Sequence, residues 1–380
     1  MIDLAANPKQ HSSPEPDGEA VLLITCLRDL PFLIPHDTDW HNLLGLAAEN
    51  GVLALVYHSL LKQNAEMPGF FAASAREVQD AAESMAAELE ILLDRFSKQG
   101  IEVLPMKGPV LAESLYAGAT MRSCNDLDLL VRSKDYPRAE ALLLDMGFAA
   151  CEAADDYHRR FQRNGLPVEL HFDIASPRYF PFDAEGVWSR AGRGEFRGKS
   201  MRVMAGDDLL FFLCMHGLKH GFSRMIWVLD VARALRNVGD CGYKELTQRA
   251  QRRGLEPWLL MGCEVVREMF PQQLPQAMVA VIAESPEVSA RARRAVARLI
   301  AEGFDVINDH KIRSFYLQTE RSARRRWRCR LSFFLPSIED YRWGERHRIS
   351  RTLVPIFRPL RLLQKHGASQ VLRNLFPRGR

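Results

Sequence analysis

Asp126 and Asp128 are separated by a single leucine at the start of a short apolar segment. Residues 127–131 are typical of a strand, and side chains at positions i and i+2 of a strand lie on the same face. The pattern predicts two carboxylates a few ångströms apart, whose repulsion a bound cation relieves. Mg²⁺ suits such a pair because it prefers oxygen ligands and substrate phosphates. Mn²⁺ is the alternative ion.

A third carboxylate usually completes a site of this kind, and residues 167–173 offer one. Glu169, His171 and Asp173 alternate onto one face of the predicted strand. Glu169 is the predicted third ligand, with Asp173 as the alternative. His171 either orients these carboxylates or simply packs in the sheet.

Lys107 and Gly108 lie between a predicted strand at 101–106 and a predicted short helix at 110–116. A glycine there lets backbone N–H groups approach a phosphate, and the helix N-terminus adds a favourable dipole. Lys107 and Arg122 add positive charge, so Lys107, Gly108 and Arg122 are the predicted nucleotide-binding residues. For Arg122, a surface ion pair is the competing interpretation.

His216 and His220 are four residues apart on a predicted helix at 207–220. Two histidines at this spacing can bind zinc, but no third ligand accompanies them in the local sequence. We therefore expect them to face a substrate or to have a structural role, close to the site rather than as its metal ligands.

Longer patterns indicate how these residues are positioned. Apolar residues recur at helical spacing over 39–63 and 73–99, which predicts a helix in each range. Residues 101–173 are predicted to alternate short strands and helices, with a hairpin turn at Asn164-Gly165. Five further helices are predicted, at 207–220, 225–237, 243–253, 256–269 and 287–301. The predicted fold class is α+β, a small mixed-sheet core flanked by N-terminal helices and a C-terminal helical region. The predicted units are a disordered leader at 1–20, an N-terminal helical region at 21–100, the core at 101–200, a helical domain at 201–305 and a basic C-terminal region at 306–380.

Composition describes an ordinary globular chain, with 47% hydrophobic and 26% charged residues among 380. We expect no membrane-spanning helix, because no apolar run is long enough, and no secretory signal, because residues 1–20 lack an apolar stretch. Its seven cysteines form no CxxC pair, which favours reduced thiols, and we expect a cytoplasmic protein.

Charge is distributed unevenly along the chain. Residues 306–380 contain 18 Lys and Arg against 5 Asp and Glu, a balance of +13, whereas the remainder has a balance of −9. This basic region is expected to contact an anionic partner, either a nucleic acid or a membrane surface. Folding back onto the acidic body of the chain is the competing possibility.

Several short motifs of the chain recur together in a known family. They are Lys107-Gly108, Tyr116, Arg122, Asp126–Val131 (DLDLLV), Gly147-Phe148 and Glu169-Leu170-His171. With these motifs the chain resembles the nucleotidyltransferase superfamily related to DNA polymerase beta. It is most similar to the bacterial family labelled "uncharacterised nucleotidyltransferase". The resemblance extends into the helical part through His216, His220, Trp227 and Asp230.

The resemblance implies an enzyme that transfers a nucleoside monophosphate from ATP or another NTP to an acceptor. The acceptor could be a sugar, a small metabolite, a protein or RNA. Asp126, Asp128 and Glu169 would then be the catalytic and metal-binding residues. One departure is Pro109, which follows the glycine and lacks a backbone N–H for a phosphate. Two alternatives are a non-catalytic binding or assembly module that retains the fold, and an RNA-binding protein that acts through its Arg-rich tail.

Overall fold

The computed structural model describes most of the chain before residue 284 and three helices near its end. The described residues are 18–28, 30–116, 118–154, 157–176, 184–237, 243–271, 274–283, 286, 290, 323–332, 338–350 and 352–366. All but the last three residues of the predicted leader and most of the predicted helix at 287–301 lie outside them.

Four helices precede the sheet. They are α1 (Gly18–Cys26), α2 (Trp40–Glu49), α3 (Leu53–Lys62) and α4 (Gly69–Lys98). Asp39 caps α2, since its carboxylate accepts hydrogen bonds from the backbone N–H groups of His41 and Asn42. The prediction of a single helix over 39–63 is wrong, because the chain turns at Gly51. This glycine has a left-handed backbone (φ 68°), which ends α2 and starts a new helix.

Five described strands form one mixed sheet in the order β1-β2-β5-β4-β3. They are β1 (Val103–Pro105), β2 (Leu127–Val131), β3 (Ala149–Ala154), β4 (His158–Arg163) and β5 (Leu166–His171). Strands β2 and β5 are parallel, and the other neighbours are antiparallel. Helix α5 (Pro109–Tyr116) follows β1, and α6 (Tyr136–Asp145) follows β2. This mixed architecture confirms the predicted α+β class.

Side-chain alternation gives the sheet two different faces. Leu127, Leu129 and Val131 of β2 belong to one hydrophobic cluster, together with the apolar stripe of α4 and residues of α6. Leu130 belongs to a second cluster, which extends into the helices between residues 206 and 283. Asp128 lies on the same face as Leu130, so the carboxylate-bearing face is turned toward the helical region.

Three strands were not predicted from the sequence. Strand β3 is rich in alanine, which is depleted in strands. A hairpin of β6 (Gly192–Phe196) and β7 (Lys199–Val203) follows α7 (Ala184–Arg190), in a segment that looked irregular because of its Gly and Pro content. Arg197 and Gly198 both have positive φ, as did the predicted Asn164-Gly165 turn. An arginine in the first position of such a turn gives no recognisable signal.

The helical region begins after the hairpin. Its helices are α8 (Gly206–Lys219), α9 (Met225–Asn237), α10 (Tyr243–Arg253), α11 (Glu256–Met269) and α12 (Gln276–Ala283). Near the C-terminus lie α13 (Ala323–Ser332), α14 (Ile338–Arg346) and α15 (Val354–His366). Among the described residues, no helix combines the length and the apolar character that crossing a bilayer requires.

Candidate active site

The turn between β1 and α5 forms one edge of a cleft. Gly108 has a left-handed backbone (φ 71°), which glycine adopts without strain. A hydrogen bond of 2.9 Å from the Met106 N–H to the Asp128 carbonyl ties this turn to β2. Lys107 is therefore held beside the carboxylates, and its Nζ lies 3.1 Å from Oδ2 of Asp128.

Parallel pairing of β2 and β5 brings two carboxylates together. Asp128 and Glu169 are register partners on these strands, so their side chains lie side by side on the same face. Asp126 immediately precedes β2, and all three residues line the same cleft. Asp173 does not line the cleft; its Oδ1 accepts a hydrogen bond from the N–H of Ile174.

Mutual repulsion within this group appears in the pKa values. The charge of Asp128, reinforced by burial, raises the pKa of Asp126 to about 6. Burial also opposes ionisation of Asp128, but Lys107 and His171 outweigh it and hold the pKa of Asp128 well below its usual range. Burial disfavours the charged form of Lys107 as well, yet Asp128 raises its pKa. The three carboxylates thus carry more negative charge than Lys107 alone neutralises.

Two histidines lie against the carboxylates. His171 is buried, with its Nε2 3.3 Å from Asp128 Oδ1 and 3.6 Å from Glu169 Oε2. Burial works against a charged His171, but hydrogen bonding to Asp128 and Glu169 raises its pKa. His158 on β4 was not identified from the sequence. It is the register partner of His171, and its Nε2 lies 3.5 Å from Glu169 Oε2.

Helices α8 and α9 form the opposite wall of the cleft. The imidazole rings of His216 and His220 both contact the Trp227 ring. The centroid of His216 lies 5.4 Å from that of Trp227, and the centroid of His220 lies 4.9 Å from it. Burial lowers the pKa of His216 well below its usual range, and burial with the charge of Lys219 lowers that of His220 to about 3. Burial and the nearby positive charges of Lys219 and Arg224 thus favour neutral imidazoles in this aromatic part of the cleft wall.

Arg122 also lines the cleft, but its guanidinium makes a buried ion pair. Its Nε and Nη2 donate hydrogen bonds to the two carboxylate oxygens of Asp230 on α9, at 2.9 and 2.7 Å. The Tyr116 hydroxyl donates to the same carboxylate at 2.7 Å. The interpretation of Arg122 as part of a surface ion pair is wrong, because its side chain is only 5% exposed. The pair connects the segment before β2 to the helical region.

The cleft has a volume of about 540 Å³, within the range of small-molecule sites. All nine residues predicted for the site line it: Lys107, Gly108, Arg122, Asp126, Asp128, Glu169, His171, His216 and His220. Tyr157, His158, Lys219 and Trp227 are further lining residues that the sequence-based site omits. Oxygen ligands at one wall and a neutral aromatic surface at the other suit a substrate with both a phosphate and a ring.

Comparison with models of known protein families places most of this chain in one family. The model of a family described as "Uncharacterised nucleotidyltransferase" matches residues 36–271. No curated protein matches the chain. A crystal structure of ANT(2″)-Ia in complex with adenylyl-2″-tobramycin is 12% identical, with a TM-score of 0.34, over 45% of this chain and 97% of that one. A crystal structure of an antigenic nucleotidyltransferase-like protein from Paracoccidioides brasiliensis is 13% identical, with a TM-score of 0.34, over 56% of this chain and 93% of that one.

Proposed function

The chain belongs to the uncharacterised nucleotidyltransferase family, and from this premise we propose that it transfers a nucleoside monophosphate from an NTP to an acceptor. Membership makes it an enzyme of the nucleotidyl-transferring class. The donor nucleotide, the dependence on magnesium and the residues that act are the proposed part. One observation supports these three points most: Asp128 and Glu169 lie side by side on parallel strands, and Asp126 immediately precedes β2 in the same cleft.

A divalent cation fits this group of residues. The raised pKa of Asp126, caused first by the charge of Asp128, indicates that the two carboxylates repel each other when both are ionised. We propose that Asp126, Asp128 and Glu169 hold Mg²⁺, with Mn²⁺ as a substitute, because all three offer hard oxygen ligands. When bound, such an ion supplies charge stabilisation for the oxygens that attack and leave the phosphorus.

The remaining residues of the cleft bind and orient the substrates. Lys107 and the turn at Gly108 would contact the triphosphate, because the lysine already lies 3.1 Å from a carboxylate of the proposed metal site. An acceptor oxygen would form a bond to the α-phosphorus while the bond to pyrophosphate breaks. The acceptor proton would pass to a carboxylate of the site.

An aromatic surface near the metal site would bind a ring. His216 on α8, His220 directly after that helix and Trp227 on α9 form this surface, and burial favours the neutral form of the two imidazoles. Stacking on such a surface tolerates a purine, a pyrimidine or the apolar face of a sugar. We propose that it contacts the ring of one of the two substrates.

Labelled nucleotides test the reaction class even while the acceptor is unidentified. The full-length protein is incubated with Mg²⁺ and each of the four NTPs, labelled at either the α- or the γ-phosphate. An extract of cells lacking the gene supplies acceptors. We expect label from the α-position to enter a product and label from the γ-position to leave as pyrophosphate. Transfer of the γ-label would instead identify a phosphoryl-transferring enzyme, and this result would overturn the proposal.

A further inference from the structure

A second group of metal-binding side chains lies beside the carboxylates. His158, Glu169 and His171 offer ligand atoms that all lie within 4.8 Å of one another. Their arrangement follows from the sheet, since His158 faces His171 across β4 and β5, and Glu169 lies two positions before His171. Two positions along a strand place side chains on the same face. Neighbouring backbone strands, rather than a mobile loop, thus set the geometry.

We propose that His158, Glu169 and His171 bind a transition-metal ion of the zinc type, at a position that shares Glu169 with the proposed magnesium site but takes its other ligands from the two histidines. Two imidazoles and one carboxylate form a donor set that proteins use for Zn²⁺ with an open fourth position. Imidazole nitrogen favours Zn²⁺ over Mg²⁺, which prefers oxygen. The proposal concerns the same cleft as the proposed transfer but does not depend on it.

Distances within the group suit one ion. Glu169 Oε2 lies 3.5 Å from His158 Nε2 and 3.6 Å from His171 Nε2. Ligands of a tetrahedral ion with bonds of about 2.0–2.1 Å are about 3.3 Å apart, so small side-chain adjustments suffice. His171 is 4% exposed, and its Nδ1 has no hydrogen-bond partner among the described residues.

An ion held here would regulate the enzyme. Glu169 belongs both to this group and to the proposed magnesium site, so an ion bound to the histidines withdraws this carboxylate from magnesium. Zinc would therefore inhibit transfer at concentrations that fill the site. This consequence, unlike the binding itself, depends on the proposed function.

Calorimetric titration of the full-length, chelator-treated protein with Zn²⁺ tests the binding. His158→Gln and His171→Gln remove one ligand each, whereas His216→Gln removes a histidine of the same cleft that lies outside the group. Asp126→Asn weakens only the magnesium position. Circular dichroism and melting temperature establish that each variant is folded. Cobalt(II) serves as a spectroscopic substitute, because the visible absorption of a bound ion reports its ligands.

We expect one Zn²⁺ per chain whose affinity falls at least about 100-fold in His158→Gln and in His171→Gln, since each variant loses a direct ligand. The affinity should be unchanged in His216→Gln and Asp126→Asn, and the cobalt spectrum should change only in the first two variants. Equal zinc affinity of His158→Gln and the wild type would overturn the proposal. So would a larger loss in Asp126→Asn, which would place the ion on the aspartates. Neither result would affect label transfer with Mg²⁺, so the two proposals fail separately.

Discussion

Arg122 and Asp230 are 108 residues apart in the chain, yet the guanidinium of one contacts both carboxylate oxygens of the other. The side chains are 5% and 1% exposed, so the pair is buried. Arg122 lies four residues before Asp126, and Asp230 lies on α9, which also carries Trp227. The contact therefore links the carboxylate wall of the cleft to the aromatic wall.

Breaking this pair should destabilise the protein strongly. Asp230→Asn leaves the buried Arg122 without a charged partner, and we expect a loss of about 3–5 kcal/mol in the free energy of unfolding. Denaturant titration measures it. Glu83→Gln is the matched control, because Glu83 also binds an arginine, Arg197, through two hydrogen bonds but is 51% exposed. Its loss should stay below about 1 kcal/mol. Equal losses in the two variants would contradict a special role for the buried pair.

The pKa of Asp126 predicts a pH-dependent stability. Its folded value, about 6, lies above the unfolded value, so ionisation of Asp126 lowers stability as the pH rises from about 4 through 6. Asp126→Asn removes this loss. In metal-free buffer, the variant should be more stable than the wild type by about 1–3 kcal/mol at pH 7.5 and similar to it at pH 4.

Saturating Mg²⁺ should make the wild type more stable than Asp126→Asn at pH 7.5. The wild type gains binding energy that Asp126→Asn has partly lost, and melting temperatures measured with and without the ion show the change. Asp145→Asn, at an exposed position on α6, is the control and should show neither effect. A variant that is less stable than the wild type in metal-free buffer at pH 7.5 would contradict the proposed repulsion.

Trp227 should affect substrate binding rather than the chemical step. Trp227→Ala removes a stacking surface worth about 1–3 kcal/mol, so we expect KM for one substrate to rise by about 5- to 100-fold with a smaller change in kcat. Trp227→Phe should retain most of the affinity. Steady-state kinetics with each substrate varied in turn identifies which ring is bound. A loss confined to kcat would argue against the stacking role.

The basic C-terminal region is predicted to recruit an anionic partner. Replacing Arg324, Arg325, Arg326 and Arg328 together with Ser should weaken partner binding most at low salt, where screening is least. Transfer to a small soluble acceptor should be nearly unchanged. In α14 and α15, Arg358 and Arg361 already form ion pairs with Asp340, so part of this region pairs with itself. A joint fall in melting temperature and transfer rate, without any partner, would favour folding back onto the body.

Local patterns predicted the residues that lie on one strand or in one turn. The alternation around Asp126 and Asp128 predicted β2, and the dipeptide Asn164-Gly165 predicted the turn that sets the register of β4 and β5. The alternation along β5 left both Glu169 and Asp173 as candidates, and the pairing of β2 with β5 brings Glu169 beside Asp128. The family resemblance added Trp227 and Asp230.

Contacts between distant elements could not be predicted in the same way. His158 lies in the segment HRRFQR, whose many charged residues do not show which face is buried. Its place beside Glu169 depends on pairing across the sheet. Asp230 was identified only through the family resemblance, because its partner Arg122 is distant in sequence and meets it through tertiary packing. The segment around Gly51 predicted a continuous helix, since apolar residues on both sides of the glycine share one spacing.

Transfer of an α-phosphate label by single variants tests the central claim most directly. Asp128→Asn and Glu169→Gln each remove a proposed metal ligand, whereas Asp173→Asn changes the alternative carboxylate, which lies outside the cleft. With fold verified by circular dichroism, we expect the rate to fall at least about 100-fold in the first two variants and to stay near that of the wild type in the third. A wild-type rate in Asp128→Asn would contradict the account, and a loss in Asp173→Asn with full activity in Glu169→Gln would move the third ligand to Asp173.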